Sequence, residues 1–281
     1  MHPIAAPSSA RCFALVGPGR AGTSIALALV RAGWQPVAVA GRAVGSDSTR
    51  RAVARLGVPA VPVAAVGAGA TVVVIATPDA AIGDAARELA PRLEPGALVV
   101  HLSGARGLDA LAAVTEVRPD CSVGALHPLQ TFAATDPARV AGAWAAIAGP
   151  PAVADLARDL GLHPFVVDDD HRAAYHAAAV VASNHLVALL GQVERLAEAA
   201  GVPFDAFGPL IETTVANCAG RGPAAALTGP VARGDSATVV AHLDALPDGE
   251  RDAYRALALA ALVLSGRDDA DLRALLQGVP A

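Results

Sequence analysis

The stretch that decides the fold is CFALVGPGRAGTSIALALVRAG, residues 12–33. A β-rich apolar run meets a glycine loop, and an amphipathic helical pattern follows. Gly17, Gly19 and Gly22 stand at GxGxxG spacing. That spacing serves a tight turn, a close approach of backbone to ligand, and close helix–strand packing. A helix starting on such a loop directs free N–H groups and the positive end of its dipole at the ligand, which suits a pyrophosphate. The reading is a dinucleotide-phosphate loop made by Gly17, Pro18, Gly19, Arg20, Ala21 and Gly22. A glycine turn without ligand is the plainer alternative.

Further apolar runs follow the first, CFALVG (12–17): PVAVAG (36–41), a weak PAVPV (59–63), TVVVIAT (71–77), ALVVHLS (97–103), SVGAL (122–126), AWAAIAG (143–149) and PFVVDD (164–169). Helical patterns lie between several of them. Near-continuous apolar strands alternating with helices predict a parallel sheet covered on both faces. From about residue 170 strand patterns stop. Residues 169–201 read as one long helix, with Asp169 or Asp170 as N-cap and Gly201 and Pro203 as the stop. Helices are expected over roughly 204–218, 223–228, 235–246 and 249–265, with a short one from 269. The expected fold class is an α/β Rossmann-type parallel-sheet domain followed by an all-α C-terminal domain. Its parts are a flexible N-terminal arm (1–10), a dinucleotide-binding domain (11–168) and a helical substrate and dimerisation domain (169–281).

Composition narrows the function. The chain has 281 residues, 54% of them hydrophobic, and a net charge of −5. All 21 basic residues are arginine, spread along the chain with few aromatics nearby, so nucleic acid is not an expected partner. Without lysine there is no Schiff base and no lysine acid or base. Any anion is held by arginine, a helix N-terminus or backbone N–H groups. Cys12, Cys121 and Cys218 are far apart and no His/Cys group has zinc spacing, which fits a reducing compartment and no metal. The N-terminus lacks a signal-peptide pattern. No apolar run reads as long enough to cross a bilayer, the Ala-rich stretches being broken by charge, Gly or Pro. The expected location is the cytoplasm.

The second strand ends Ala40–Gly41–Arg42, where an NAD site carries a carboxylate for the ribose 2′-OH. Arg42 suits a 2′-phosphate instead, with Ser46, Ser48, Arg50 or Arg51 to help, so the expected cofactor is NADP(H). Asp47 is the dissenting residue, and a solvated loop arginine is the alternative for Arg42. Three strand ends carry polar groups: Thr77, Pro78 and Asp79; His101, Ser103 and Gly104; His127, Gln130 and Thr131. Ligands in open α/β sheets bind outside the C-terminal ends of the strands, so these ends mark a site, with Thr77 and Pro78 on the cofactor side. On the long helix His176 and Ser183 are seven apart, near one stripe at ~100° per residue, with Asn184 beside them. Polar groups satisfied at a domain interface are the alternative there. Arg233 suits a substrate carboxylate, with a salt bridge to Asp235 as its alternative.

Taken together, GPGRAG, VVHLSG, ALHPLQTF, YHAAAVVASNH and LTGPVARGD resemble a two-domain family with a Rossmann-like NADP oxidoreductase domain and a C-terminal helical domain of unknown function. The likeness spans about residues 12–235. Some members of that family act as an alternative type of ketopantoate reductase, so the resemblance implies reduction of ketopantoate to pantoate. In the wider superfamily, 3-hydroxyacid dehydrogenases and the better-known ketopantoate reductases carry Lys-x-x-x-Asn on the first long helix after the Rossmann domain. Asn184 fits the asparagine, but Val180 stands at the lysine position, so that mechanism does not transfer. The His127–Pro128 pair is similar to the His-Pro of prephenate dehydrogenases. The superfamily likeness also implies a homodimer through the helical domain.

The expected chemistry is hydride transfer to a small 2-oxo acid. The proton comes from His127 or His176, with Ser103 and Asn184 as donors to the oxygen and Gln130, Ser183 and Arg233 contacting substrate. His101 reads as a core histidine. An imine or other carbonyl reductase with the same cofactor is one rival. A non-catalytic NADP(H) sensor is another, favoured by the missing lysine and opposed by the polar strand ends.

Overall fold

The computed structural model describes residues 11–278, so the expected arm, 1–10, lies outside the described residues. Among the described residues seven strands form one sheet: β1 Cys12–Val16, β2 Gln35–Ala40, β3 Val72–Ile75, β4 Leu98–His101, β5 Ser122–Pro128, β6 Trp144–Ala148 and β7 His163–Val166. Their order is β2-β1-β3-β4-β5-β6-β7. The intervening helices are α1 Arg20–Arg31, α2 Asp47–Leu56, α3 Ile82–Leu89, α4 Ala112–Val117 and α5 Pro151–Asp159.

Alternation along the strands divides the core into two layers. Phe13, Leu15, Val72, Val74, Leu98 and Val100 face one layer with Ile25 and Leu29 of α1. Ala14, Val16, Val73, Ile75 and Val99 face the other with Ile82 and Leu89 of α3. Both faces are buried, which is why these strands read as unbroken apolar runs.

Two sequence expectations are corrected. Residues 59–63 form no strand; only Ala60 bridges to Val39. Pro59 and Pro62 have no N–H to give a ladder, and a strand with two such gaps cannot propagate. The sheet is also not wholly parallel. β5 and β6 run antiparallel, with Leu126 opposite Ile147 and His127 opposite Ala146. β5 does not stop at His127 either: Pro128 pairs with Ala145, and the Leu129 N–H donates to the Trp144 carbonyl.

The helix from Asp169 is continuous to Ala199, through α6 Arg172–Val180, a π turn at Val181–His185 and α7 Leu186–Ala199. By length and composition it is able to cross a membrane, which corrects the sequence expectation. Contacts divide the chain into two compact units, Met1–Ser183 and Asn184–Ala281. The second holds α8 Gly208–Arg221, α9 Pro223–Ala226, α10 Pro230–Arg233, α11 Ser236–Ala245, α12 Asp248–Leu264 and α13 Ala270–Gln277. α10 falls inside LTGPVARGD, which the sequence reading treats as loop. Its small core is Val231, Val239, Leu243, Ala258, Leu262, Leu272 and Leu276.

Gly124 in β5 tests the packing. A Cβ there collides with the Val153 side chain of α5 and lies 3.2 Å from the Ala148 carbonyl oxygen. Gly124→Ala is expected to lower stability by about 1–3 kcal/mol through overpacking, read as an unchanged m-value and a lower midpoint in urea.

Candidate functional site

The order β2-β1-β3 places a switch in direction between β1 and β3, where α/β sheets open a ligand crevice. A cleft of about 610 Å³ lies there, and Gly17, Pro18, Gly19, Arg42, Thr77 and Pro78 are among its walls. Gly17 has φ +86°, and a Cβ on it falls 2.6 Å from the Ala76 carbonyl. Gly22 has no room for a Cβ against the Gly17 carbonyl and Ala76. Gly19 is open on its outer side, and α1 has no side-chain cap. The N–H groups of Arg20, Ala21 and Gly22 at the first three helical positions have no intrahelical acceptor. Thr77 Oγ1 is buried in the same wall without a partner among the described residues. Apposed glycines, free N–H groups and an unpaired hydroxyl fit a dinucleotide pyrophosphate.

Ser46 and Ser48 join Arg42 along the cleft, and Arg20, Arg51 and Arg55 line an adjoining one. Asp47 is turned to Arg50 in an exposed ion pair. Asp84 and Glu88 also line the first cleft, and Glu88 accepts the Ala64 N–H.

The other polar group lies past β4 and β5. Asp169 Oδ2 accepts the Leu108 N–H at 3.1 Å, and its Oδ1 meets Arg172 Nε at 3.1 Å. Gly107 is required at this contact, since a Cβ lands 2.6 Å from Asp169 Oδ2. This anchor holds the first turns of the long helix at the ends of β4 and β5. His127 Nδ1 then meets the Tyr175 hydroxyl at 2.6 Å, and the His127 and His176 ring centroids are 5.9 Å apart. Both histidines rest on Gly104, whose Cβ would lie 2.6 Å from His176 Nδ1 and 2.9 Å from His127 Nε2. His176 Nδ1 is buried and unpaired among the described residues. So are both terminal nitrogens of Arg172, a residue only 1% exposed.

Burial, with the His176 and Arg172 charges adding to it, lowers the His127 pKa from 6.5 to about 4. His127 is therefore a neutral ring at neutral pH. His101 is likewise lowered to about 4, chiefly by burial. Its Nδ1 accepts the Ser103 N–H and its Nε2–H donates to the Gly107 carbonyl. It is the satisfied core histidine that the sequence suggests.

Several expected site residues have structural tasks. Ser103 Oγ accepts the Ala105 and Arg106 N–H groups, fixing the loop beside Gly104. Gln130 is taken up by its own loop, donating to the Arg139 carbonyl and accepting the Thr131 N–H. Ser183 donates to the Ala179 carbonyl. His176 and Ser183 are both half-buried, and a π turn begins at Val181, so Ser183 lies within i→i+5 spacing. Asn184 and Arg233 belong to the second unit. Arg233 is exposed, and Asp235 binds Thr238 rather than forming the expected salt bridge. Arg172 and Tyr175 escape the sequence reading. The available signal was Asp169 and Arg172 at i,i+3, followed by a tyrosine one residue before His176.

Family models match on both sides of residue 130. A Rossmann-like domain covers residues 8–128, and a Domain of unknown function (DUF2520) covers residues 143–261. The chain carries a Rossmann-like domain and a DUF2520 domain. A search of the curated proteins finds no match. Among solved structures, BF3122 from Bacteroides fragilis, provisionally named an NADP oxidoreductase, is 24% identical with a TM-score of 0.76. The match covers 92% of this chain and 99% of that one. Protein TM1727 from Thermotoga maritima is 24% identical with a TM-score of 0.61, over 95% of this chain and 97% of that one. A pyrroline-5-carboxylate reductase from Coxiella burnetii is 16% identical with a TM-score of 0.58, over 98% of this chain and 100% of that one. At these identities the likeness is one of fold.

The two neutral histidines make stability depend on pH. Unfolded, each takes up a proton near 6.5; folded, only near 4. Their contribution is full above pH 6.5 and is lost as pH falls toward 4. Calorimetry is expected to show Tm falling across that window, and His101→Gln to flatten the fall relative to its own value at pH 7.

Proposed function

We propose that the protein is an NADPH-dependent oxidoreductase that reduces a small 2-oxo acid, with ketopantoate as the first substrate to test. The observation that carries this reading is the pairing of a glycine-walled cleft at the β1/β3 switch with a half-buried His127–Tyr175–His176 group at the ends of β4 and β5. Arg42 at the end of β2, where a carboxylate would serve NAD, supports NADP(H). Ketopantoate itself rests on the motif resemblance alone.

Bound NADPH supplies the hydride. The chain's part is to hold the pyrophosphate on the first turn of α1, hold the 2′-phosphate near Arg42, and place a proton beside the reacting oxygen. His127 Nε2, which has no partner among the described residues, is the atom for that proton. An imine bearing a carboxylate is the second reading, favoured by the full-length fold likeness to the Coxiella enzyme. The membrane reading of the long helix is opposed by its first turns, where Asp169 is bonded to the loop after β4 and Arg172 to Asp169.

We propose a homodimer through the helical domain. In the second unit Val187, Leu210 and Val263 are 69%, 63% and 67% exposed, against a core of only seven residues. Where such side chains form one patch they mark an interaction site, and these three are the residues the dimer reading rests on. Sedimentation at micromolar concentration is expected to give a dimer, and Val187→Glu with Leu210→Glu a monomer. A monomeric wild type overturns this.

The function is tested by following NADPH oxidation with ketopantoate, and NADH alongside. Fast turnover with NADPH alone is expected. Arg42→Ser is expected to raise the KM for NADPH about tenfold, consistent with losing a charge-assisted bond of about 1.5 kcal/mol, with NADH little changed. Tight NADPH binding without turnover on any ketone or imine would instead indicate a sensor.

A further inference from the structure

We propose that Tyr175 and His127 form a two-member proton relay, in which His127 Nε2–H donates to the reacting oxygen while Tyr175 Oη–H donates to His127 Nδ1. This rests on the reductase reading above and adds a residue to it. Tyr175 acts through His127 and is a positioning residue.

The geometry is compatible with this direction. Tyr175 Oη lies 2.6 Å from His127 Nδ1, with the rings edge-on at 83°. Tyr175 also packs on Phe165 at 5.9 Å, which fixes its ring. One nitrogen of His127 is thus committed to the phenol, and the other has no partner among the described residues. A histidine that serves alone as the acid must start as imidazolium. Here that form is disfavoured by burial, by His176 and Arg172 on the helix and, where it is itself protonated, by His101 on β4, with Asp79 after β3 acting in the opposite sense. A ring that gains a proton at Nδ1 as it loses one at Nε2 never becomes charged. Only a donor already bonded at Nδ1 makes this possible, and Tyr175 is that donor.

The protons balance. One leaves Nε2 for the alkoxide formed by hydride transfer. One leaves Tyr175 Oη for Nδ1, switching the tautomer and leaving a phenolate that is reprotonated from solvent. An alkoxide has a conjugate acid about as weak as water, far weaker than a phenol. Even with the phenol's pKa raised by burial, the transfer runs toward the alkoxide. The phenolate forms near the Arg172 guanidinium, whose two terminal nitrogens have no partner among the described residues. Buried guanidinium nitrogens left without partners call for an explanation, and a transient anion on Tyr175 provides one.

Two measurements test the relay. Nitrogen NMR of wild-type protein, with His127 assigned from His127→Gln, is expected to show the Nε2–H tautomer at pH 7. An Nδ1–H tautomer, donating to the phenol oxygen, overturns the relay whether or not any substrate is turned over. The second is Tyr175→Phe, which keeps the ring on Phe165. Its kcat at pH 7 is expected to fall about 10²-fold, within the range for losing acid–base assistance, with KM within about threefold. Because His127 must then act as imidazolium, the deficit is expected to narrow about tenfold per pH unit from 7 to 5. A variant within threefold of wild type, or a deficit constant with pH, overturns the relay. A wild type that never oxidises NADPH sinks the reductase reading instead, and the tautomer still decides the relay's geometry.

Discussion

The site depends on one carboxylate. Asp169 binds the Leu108 N–H with one oxygen and Arg172 Nε with the other, so the loop after β4 and the start of the long helix are fixed to each other. Everything else near the ends of β4 and β5 follows from that joint. Tyr175 and His176 are one turn further on, and they reach His127 only because the helix starts where it does. The joint comes at a cost, since burying a guanidinium loses hydration that a single half-exposed carboxylate cannot fully replace. A fold selected for stability alone would place an apolar side chain there.

The cleft and the proton site are made by different means. The cleft is a matter of backbone: two glycines with no room for a Cβ, a helix start with no cap, and a strand end lacking an acid. The proton site is a matter of half-buried side chains held against one another. Burial keeps both His101 and His127 neutral, yet only His101 has both nitrogens bonded within its own strand end and loop. The same physical effect thus gives an inert histidine on β4 and an available one on β5.

Much of this was legible in the sequence. GPGRAG followed a strand and opened a helix, and the two-layer core was implied by unbroken apolar runs. His127 stood out because a strand pattern ended on it. What stayed hidden depended on contacts distant in the chain. Arg172 read as an ordinary helical arginine, because nothing local says that it will be buried. Tyr175 gained its meaning only from a partner 48 residues away. The π turn at 181–185 left no mark on apolar periodicity. The antiparallel β5–β6 pair was invisible for a similar reason, since buried strands of either direction read alike.

The prolines at 59 and 62 have a consequence of another kind. They prevent a strand beside β2, so β2 is left at the rim of the sheet with only Ala60 bridged to it. A bare rim of that sort invites a neighbouring molecule to add a strand and start an aggregate. The segment 59–61 still occupies the rim, accepting the Val39 N–H at Pro59 and giving the Val61 N–H back to Val39. It covers the edge but offers little ladder of its own to extend. The residues that shorten the sheet by one strand also make it a poor template for self-association.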